Sequence, residues 1–285
     1  MATQVTRSLV LSDQHALPPF PRVVQQILDT VEDPDANLNV LVSHVEHDPV
    51  ITGHVLSMAN KAASSRYSGR AIDDVFTAIS LVGLSRVREV ALLLSVAKLS
   101  DGTSPRRMHD FFWFHSVAVG VCGIEIAHWT QTPVSVDTAL IAGLLHDIGQ
   151  LWLQKFDPQR FAQAWEQSSR SGEEVVVAER ALFGVDHGEI GGWLAASWGL
   201  NAEIVKAITH HHVPENAASS VLVAVIHIAE VLGNALDLTP HMPGRVTKVA
   251  ASSCKALNIT WAADSHRRVG RSEARSRQAA SLFAI

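Results

Sequence analysis

An apolar run that ends in an adjacent histidine and aspartate constrains the fold of this chain more than any other stretch. The run extends from Ala139 to Leu145, and His146 and Asp147 follow it directly. Its composition predicts a buried helix, and polar side chains at the end of such a helix are costly unless something holds them. A divalent cation bound by imidazole and carboxylate is one way to hold them, and a hydrogen-bonded pair within the protein is the other. The pair alone leaves both interpretations open.

Further side chains with the same ligand chemistry lie on other predicted helices or at their ends. They are His115, His187, His211, His212 and Glu230. In a helical bundle, each helix contributes one or two inward side chains to a shared metal site. The scatter of these residues is typical of such a ligand set, so the sequence predicts that they converge with the His-Asp pair. The neighbouring His210 and His227 are interpreted as supporting or structural histidines.

The composition favours a soluble helical protein. Of the 285 residues, 47% are hydrophobic and 18% are charged, which is enough apolar material for a sizeable core. No period-2 alternation is long enough to predict a strand, so the predicted fold class is all-α. Two cysteines build no disulfide framework, and no signal peptide or membrane-spanning stretch is recognised. We therefore expect a cytoplasmic protein that makes no membrane contact.

Turn signals divide the predicted helices into two lobes. The proline-rich residues 17–21 precede a predicted helix at 23–31, and residues 101–105 form the predicted turn between the lobes. The predicted organisation is an N-terminal extension at 1–16, an N-terminal helical lobe at 17–100, a second helical lobe at 106–240 and a basic C-terminal segment at 241–285.

The charge of the chain does not favour nucleic acid as a partner. The net charge is −5, although the segment after residue 240 carries eight lysines and arginines against two acidic residues. Within it, Arg267 to Arg277 is interpreted as a solvated helix or a disordered tail. A predicted helix pair around Gly83 could be compared with a DNA-reading helix-turn-helix, but its second helix is dominated by valine, alanine and leucine. A nucleic-acid regulator that uses the basic segment is therefore only the third hypothesis.

Many short blocks, in the same order, resemble the HDOD family (HD-related output domain) within the HD superfamily of metal-dependent phosphohydrolases. In the first lobe these blocks are Leu-Pro-Pro-Phe-Pro at 17–21, Asp-Pro-Asp at 33–35, His-Asp-Pro at 47–49, Met-Ala-Asn at 58–60 and Ala-Ile-Ser-Leu-Val-Gly-Leu at 78–84. In the second lobe they are Trp-Phe-His-Ser at 113–116, Gly-Leu-Leu-His-Asp-Ile-Gly at 143–149 and Trp-Gly-Leu at 198–200. The resemblance covers residues 17–236 and leaves the C-terminal segment outside it.

The resemblance implies an all-α fold with an N-terminal helical bundle lobe and an HD-like helical lobe. It also implies a bacterial signal-transduction or regulatory output module without an established reaction. Such domains occur alone or beside receiver, diguanylate cyclase or phosphodiesterase domains, so proteins of these kinds are the expected partners, and a homo-oligomer is left open. In the superfamily the ligand positions hold a divalent metal, here Fe, Mn, Zn or Mg. The residues at those positions are His115, His146, Asp147, His187, His211, His212 and Glu230.

Departures from the superfamily pattern bear on catalysis. Glu230 stands where the superfamily has an aspartate, and Phe111 stands where related cyclic-dinucleotide phosphodiesterases have a glutamate. The glutamate and the Gly-Tyr-Pro block that follow the paired histidines of those enzymes are missing after His212. We therefore expect a non-catalytic signalling module with a metal-binding cluster. The alternative is an active metal-dependent phosphohydrolase that acts on a nucleotide or a cyclic dinucleotide.

Overall fold

A computed structural model describes residues 4–12, 17, 38–46, 49–64, 72–100, 106–217, 219–236, 248–259 and 265–281. These residues are largely helical and contain no strand, which confirms the all-α prediction. The predicted helix at 23–31 and the predicted turn at 101–105 lie outside the described residues. Within the described ranges, no helix is both long enough and apolar enough to cross a membrane.

The described helices are named here in chain order. They are α1 (Arg7–Val10), α2 (Leu38–Glu46), α3 (Pro49–Ser64), α4 (Val75–Val82), α5 (Leu84–Ser100), α6 (Arg106–Trp129), α7 (Val136–Leu145), α8 (Ile148–Phe156), α9 (Pro158–Ser171), α10 (Val175–Phe183), α11 (His187–Ser197), α12 (Ala202–His210), α13 (Val221–Ala235), α14 (Ala251–Leu257) and α15 (Ser265–Ser281), with a 3₁₀ turn at Pro214–Ala217. The chain divides into a small unit, Phe20–Leu99, and a large unit that combines Met1–Pro19 with Ser100–Ile285.

The helices of the small unit follow from apolar spacing and from a capping side chain. In α3, Ile51, Val55 and Ala59 are buried one turn apart, as expected for a helix with one apolar face. The side chain of Asp74 caps α4 by accepting a hydrogen bond from the N–H of Thr77 at 2.6 Å. In α5, Val87 and residues 90–94 are buried. Over these residues the helix is therefore packed in the interior and does not present an exposed polar face that could contact DNA bases.

The centre of the large unit is built from α6, α7 and α13. Residues 117–126 of α6 and 222–234 of α13 are buried almost without interruption. The main chains of α6 and α7 touch, because a Cβ atom on Gly143 would lie 2.6 Å from the Cα of Gly120. This close approach is available only to glycine. It brings the middle of α6 against the end of α7, where the His-Asp pair lies.

The N-terminal residues pack on the large unit. The N–H of Val5 donates a hydrogen bond to the carbonyl of Phe183 at 3.0 Å. Val5, Val10 and Leu17 are buried in one apolar cluster with Trp152 and Phe183. The start of the chain is thus part of the core that supports α8, α10 and α11.

The basic C-terminal segment forms a helix with one buried face. In α15, Ser272, Ser276 and Ala279 are buried, and Arg275 forms an ion pair with Glu125 of α6. Of the two alternatives for this segment, the disordered tail is therefore wrong over residues 265–281. The arginines that gave the segment its polar appearance lie mostly on the exposed side of the helix.

Candidate metal centre

The structure brings the side chains of all seven candidate ligands together inside the large unit. His115 lies on α6, His146 and Asp147 occupy the break between α7 and α8, His187 begins α11, His211 and His212 follow α12, and Glu230 lies on α13. Their ligand atoms form three overlapping groups, each with atoms within 4.8 Å of one another. The first is Asp147, His187, His211 and His212; the second is His115, His146 and Asp147; the third is His146, His211 and Glu230.

Helix ends position most of these side chains. Asp186 caps α11 by accepting a hydrogen bond from the N–H of Glu189 at 2.9 Å, so His187 occupies the first turn. Asn201 caps α12, which ends at the histidine cluster. Both caps fix where the histidines stand relative to the helix ends.

The first set of close contacts, here called the His115 group, consists of His115, His146 and one oxygen of Asp147. The Nε2 atoms of the two histidines are 3.2 Å apart. Oδ2 of Asp147 lies 3.5 Å from Nε2 of His115 and 3.3 Å from Nε2 of His146. Three potential ligand atoms from two segments thus face a common point.

The second set, here called the His187 group, uses the other oxygen of the same carboxylate. Oδ1 of Asp147 lies 3.0 Å from Nε2 of His187 and 3.9 Å from Nε2 of His211. Nε2 of His187 is in turn 3.3 Å from Nε2 of His211 and 3.1 Å from Nε2 of His212. Asp147 therefore lies between the two groups and presents one oxygen to each.

Hydrogen bonds on the far side of the rings define which nitrogen carries the proton. Nδ1 of His146 donates to the carbonyl of Gly143 at 2.7 Å, and Nδ1 of His211 donates to the carbonyl of Ile208 at 2.7 Å. A neutral imidazole that is protonated on Nδ1 has its lone pair on Nε2. The Nε2 lone pairs of these rings therefore point into the centre.

Carboxylates orient the two other rings of the His187 group. Nδ1 of His187 donates to Glu179 at 2.7 Å, and Nδ1 of His212 donates to Glu174 at 2.9 Å. Sequence reasoning missed both glutamates. A signal existed for Glu179, because it falls on the apolar face of α10 with Val176 and Phe183 and is fully buried there. No comparable signal marked Glu174, which precedes the helix at a position where an acidic residue is ordinary.

The donor set fits a divalent cation. Lone pairs that face one another at 3.1–3.3 Å repel unless a proton or a cation lies between them. Two ligands that bind one ion at about 2.1 Å lie about 3.0–3.4 Å apart, which is the spacing of these nitrogens. In addition, Oδ1 of Asp147 and Oε2 of Glu230 are buried without a hydrogen-bond donor. Buried carboxylate oxygens rarely lack a donor or a cation, and a bound cation would provide the missing partner for both oxygens.

The electrostatics of the centre also favour positive charge. Burial by itself would raise the pKa of Asp147, but His146 and His187 hold that pKa well below its ordinary value. Burial opposes protonation of His187, yet the carboxylates of Glu179 and Asp147 raise its pKa well above the ordinary value. Burial raises the pKa of Glu230. Burial and the neighbouring histidines lower the pKa of His211 well below its ordinary value, so the centre attracts positive charge at His187 but opposes a proton on His211.

Arg160 lies near the His-Asp pair in sequence, and its described contacts are with other residues. Nε of Arg160 donates to Asp157 at 2.7 Å, and its guanidinium lies 4.7 Å from the ring centre of Phe183. Among the described contacts of His146, Asp147, His187, His211 and His212, none involves a lysine or arginine.

His227 supports the centre without belonging to it. Its Nδ1 donates to the carbonyl of His211 at 2.7 Å, and its Nε2 accepts a hydrogen bond from the N–H of Ala250 at 3.0 Å. The ring therefore links a candidate ligand to the segment that begins α14. This contact agrees with the interpretation of His227 as a supporting histidine.

Comparisons with known proteins agree with the fold and with the resemblance in the sequence. A family model of the HDOD domain matches residues 17–214. An uncharacterized protein of Treponema pallidum (strain Nichols) is 22% identical over 196 residues, which are 69% of this chain and 37% of that protein. The chain thus spans little more than a third of this curated relative.

Solved structures with the same fold come from several bacteria. An HDOD domain protein of unknown function from Geobacter sulfurreducens has a TM-score of 0.73 at 24% identity, over 93% of this chain and 92% of that one. A candidate signal transduction protein from Marinobacter aquaeolei VT8 has a TM-score of 0.74 at 21% identity, over 96% of this chain and 61% of that one. A candidate phosphohydrolase from Shewanella amazonensis SB2B has a TM-score of 0.69 at 24% identity, over 94% of this chain and 95% of that one.

Proposed function

Since the chain belongs to the HDOD domain family, we propose that it is a signalling output module whose large unit is held together by a centre of two divalent metal ions. The observation that carries the proposal is the position of Asp147. Its two carboxylate oxygens are turned toward two separate sets of histidine nitrogens, and within each set the nitrogens lie 3.1–3.3 Å apart. Asp147 would hold one ion with each oxygen, and two adjacent ions are a recurrent kind of protein metal site.

The negative charge of the centre supports a count of two divalent ions. Four carboxylates lie in it or directly behind it: Asp147 and Glu230 among the ligands, and Glu174 and Glu179 behind the histidines. With neutral histidines the four carboxylates give a charge of −4, which two divalent cations balance. Three of the four, Asp147, Glu179 and Glu230, are buried, and without cations their charges would destabilise the fold strongly.

The donor types narrow the choice of metal. Five imidazoles and two carboxylates suit Mn, Fe or Zn, whereas Mg prefers oxygen ligands and retains several waters. Of the Fe, Mn, Zn and Mg expected for the superfamily, we therefore propose one of the first three.

Burial of the centre supports a non-catalytic role. The side chains of His146, His187 and His211 are completely buried, and that of Asp147 is 7% exposed. A phosphodiester that reacts at a metal must enter the site and usually meets cationic side chains that stabilise its charge. Among the described contacts of these residues, none comes from a lysine or arginine that could stabilise that charge. Metal ions here would instead join α6, α11, α12 and α13 and so couple the conformation of these helices.

Partners and location follow from the family rather than from contacts. We propose that the module acts on receiver, diguanylate cyclase or phosphodiesterase proteins in the cytoplasm. The Marinobacter neighbour, a candidate signal transduction protein, supports a signalling role.

The alternative function is a metal-dependent phosphohydrolase. The observation that favours it is the pair of adjacent ligand groups, because two-metal sites are typical of enzymes that act on phosphate esters. When bound, such ions would polarise a phosphoryl group and activate water.

Elemental analysis of the purified protein tests the proposal directly. We expect about two Mn, Fe or Zn ions per chain and fewer than one in an Asp147→Asn variant. The alternative is tested with the same samples: generic and cyclic-dinucleotide phosphodiesters are incubated with added Mn²⁺ or Fe²⁺. Turnover that His146→Ala abolishes would establish the phosphohydrolase and refute the non-catalytic role. Protein that contains no metal and gains none on addition would refute both.

A further inference from the structure

The two ion positions differ in what supports their histidines. In the His187 group, His187 and His212 donate their Nδ1 protons to the carboxylates of Glu179 and Glu174. His146 of the His115 group donates to a main-chain carbonyl instead. His211 of the His187 group also donates to a carbonyl, so the two described carboxylate acceptors both serve rings of the His187 group.

Glu179 differs from a glutamate in a surface salt bridge, because it is buried and contacts His187 directly. Its side chain has no solvent exposure, and one oxygen accepts from both the backbone N–H of His187 at 2.9 Å and the ring Nδ1 at 2.7 Å. Its other oxygen is buried without a hydrogen-bond donor. A buried carboxylate in this state is expensive, and the cost is offset only if positive charge is nearby. The ring of His187 lies between Glu179 and Asp147, with one nitrogen near each carboxylate.

The chemistry of such a pair is well defined. A carboxylate that accepts the Nδ1 proton of a histidine makes Nε2 a more basic ligand and holds the ring in one orientation. It also adds a negative charge behind the ligand, which attracts a cation through a medium of low dielectric constant. A carbonyl oxygen supplies the orientation but not the charge.

We propose that the two ion positions are unequal, that the His187 group binds its ion first and more tightly, and that Glu179 is the main positioning residue that causes the difference. This inference rests on the proposed two-ion centre. Glu174 contributes in the same direction but less, because its side chain is 36% exposed and solvent screens its charge. The ion in the His115 group is then the exchangeable one of the two.

The test is a titration of metal-free protein with Co²⁺, followed by calorimetry and by the visible d–d absorption of the bound ion. The wild-type protein is expected to bind two ions in separate steps. Glu179→Gln retains an oxygen that can accept from His187 but removes the charge. It is expected to weaken the first step by about 10–100-fold, to shift the absorption of the first ion, and to leave the second step nearly unchanged. Loss of packing alone would not alter the spectrum of one ion selectively.

Matched variants distinguish the possible results. Glu174→Gln is expected to weaken the same first step by a smaller factor, and this partly exposed position provides the test if Glu179→Gln does not fold. Glu230→Gln removes a ligand outside the His187 group and is expected to weaken the second step. Glu125→Gln removes another buried carboxylate, one that pairs with Arg275 and not with the centre, and is expected to change neither step.

Two results would contradict the inference and leave the two-ion centre intact. One is two Co²⁺ ions bound with equal affinity by the wild-type protein. The other is a Glu179→Gln variant, or a Glu174→Gln variant if the first does not fold, that binds the first ion as tightly as the wild-type protein. Failure of the wild-type protein to bind any Co²⁺ would instead refute the centre itself.

Discussion

Gly149 and His187 are in direct main-chain contact. A Cβ atom on Gly149 would lie 2.0 Å from the carbonyl oxygen of His187, far inside the distance that real atoms tolerate. Gly149 is in the first turn of α8, two residues after Asp147, and His187 begins α11. The contact of these two helix ends is what allows the Asp147 carboxylate to lie 3.0 Å from Nε2 of His187.

This contact predicts that Gly149→Ala is both destabilising and harmful to metal binding. The added methyl group meets backbone atoms, which cannot rotate away, so α8 and α11 must separate. Overpacking of this kind costs about 1–3 kcal/mol, and more where main chain has to move. Urea unfolding of the metal-free protein measures the cost, and elemental analysis measures the loss of metal.

Gly270→Ala is the matched control. Gly270 lies in α15 and is exposed, and a methyl group added to it would have no other atom within 4 Å. Alanine there is expected to stabilise the helix by about 0.5–1 kcal/mol without affecting the metal content. If Gly149→Ala behaved like Gly270→Ala, the two helix ends could not be in the contact described.

The same contact shows where sequence reasoning stops. The His-Asp pair after an apolar run, the scattered histidines and their predicted helices were sufficient to predict the fold class and a convergent centre. They could not predict Gly149 as a contact point, because a single sequence does not distinguish a glycine that permits close packing from one that only follows a motif. Main-chain approach between α8 and α11 is a property of the packed structure.

Glu179 illustrates a second limit. Its place on the apolar face of α10 marked it as unusual, yet its partner His187 lies on the next helix, and the turn between them decides whether the side chains meet. The ligands themselves were predictable because imidazole and carboxylate chemistry is recognisable in any sequence. The residues that orient them were not, since any oxygen at the right distance can accept an Nδ1 proton.

Removal of metal is expected to lower the thermal stability of the protein. A ligand that binds only the folded state stabilises it by about 2.7 kcal/mol at 100 times its Kd. For a chain of this size that corresponds to a decrease in Tm of about 5–10 °C on chelation. Differential scanning calorimetry with EDTA, and again after Mn²⁺ or Zn²⁺ is restored, measures the change. Identical melting curves in all three conditions would mean that the centre is only a hydrogen-bonded cluster.

Substitution of single ligands is expected to remove different numbers of ions. Asp147→Asn should remove both, because its two oxygens face both groups. His212→Ala should remove only the ion of the His187 group, since Nε2 of His212 contacts His187 and not the His115 group. Elemental analysis should therefore give close to zero ions and close to one ion per chain.

His210→Ala is the control for these ligand variants. His210 is adjacent in sequence, yet it is not among the converging ligands. The variant is expected to retain two ions. Equal metal content in Asp147→Asn and His212→Ala would contradict the bridging position of Asp147.

Asp157 provides a pH-dependent contribution that is independent of metal. Its side chain caps α9 by accepting from the backbone N–H of Arg160 at 3.0 Å, and it also accepts from Nε of Arg160 at 2.7 Å. The hydrogen bond from the Arg160 backbone, and then the Arg160 side chain, lower the pKa of Asp157 below its ordinary value of 3.8. A carboxyl group whose pKa is lower in the folded state stabilises the protein fully above the unfolded value. That stabilisation is lost as the pH falls through the folded value.

Asp157→Ala is therefore expected to cost about 1 kcal/mol at pH 7, the usual contribution of a helix cap, and less as the pH falls below 4. Asp157→Asn is the control, since it still caps the helix but cannot titrate, so its difference from Asp157→Ala should not change with pH. Urea unfolding of the chelated protein from pH 7 to pH 3 measures both differences without a contribution from metal release. A cost of Asp157→Ala that stays constant, or grows, as the solution is acidified would contradict the assignment, because only a carboxylate that loses its charge makes the wild-type advantage shrink.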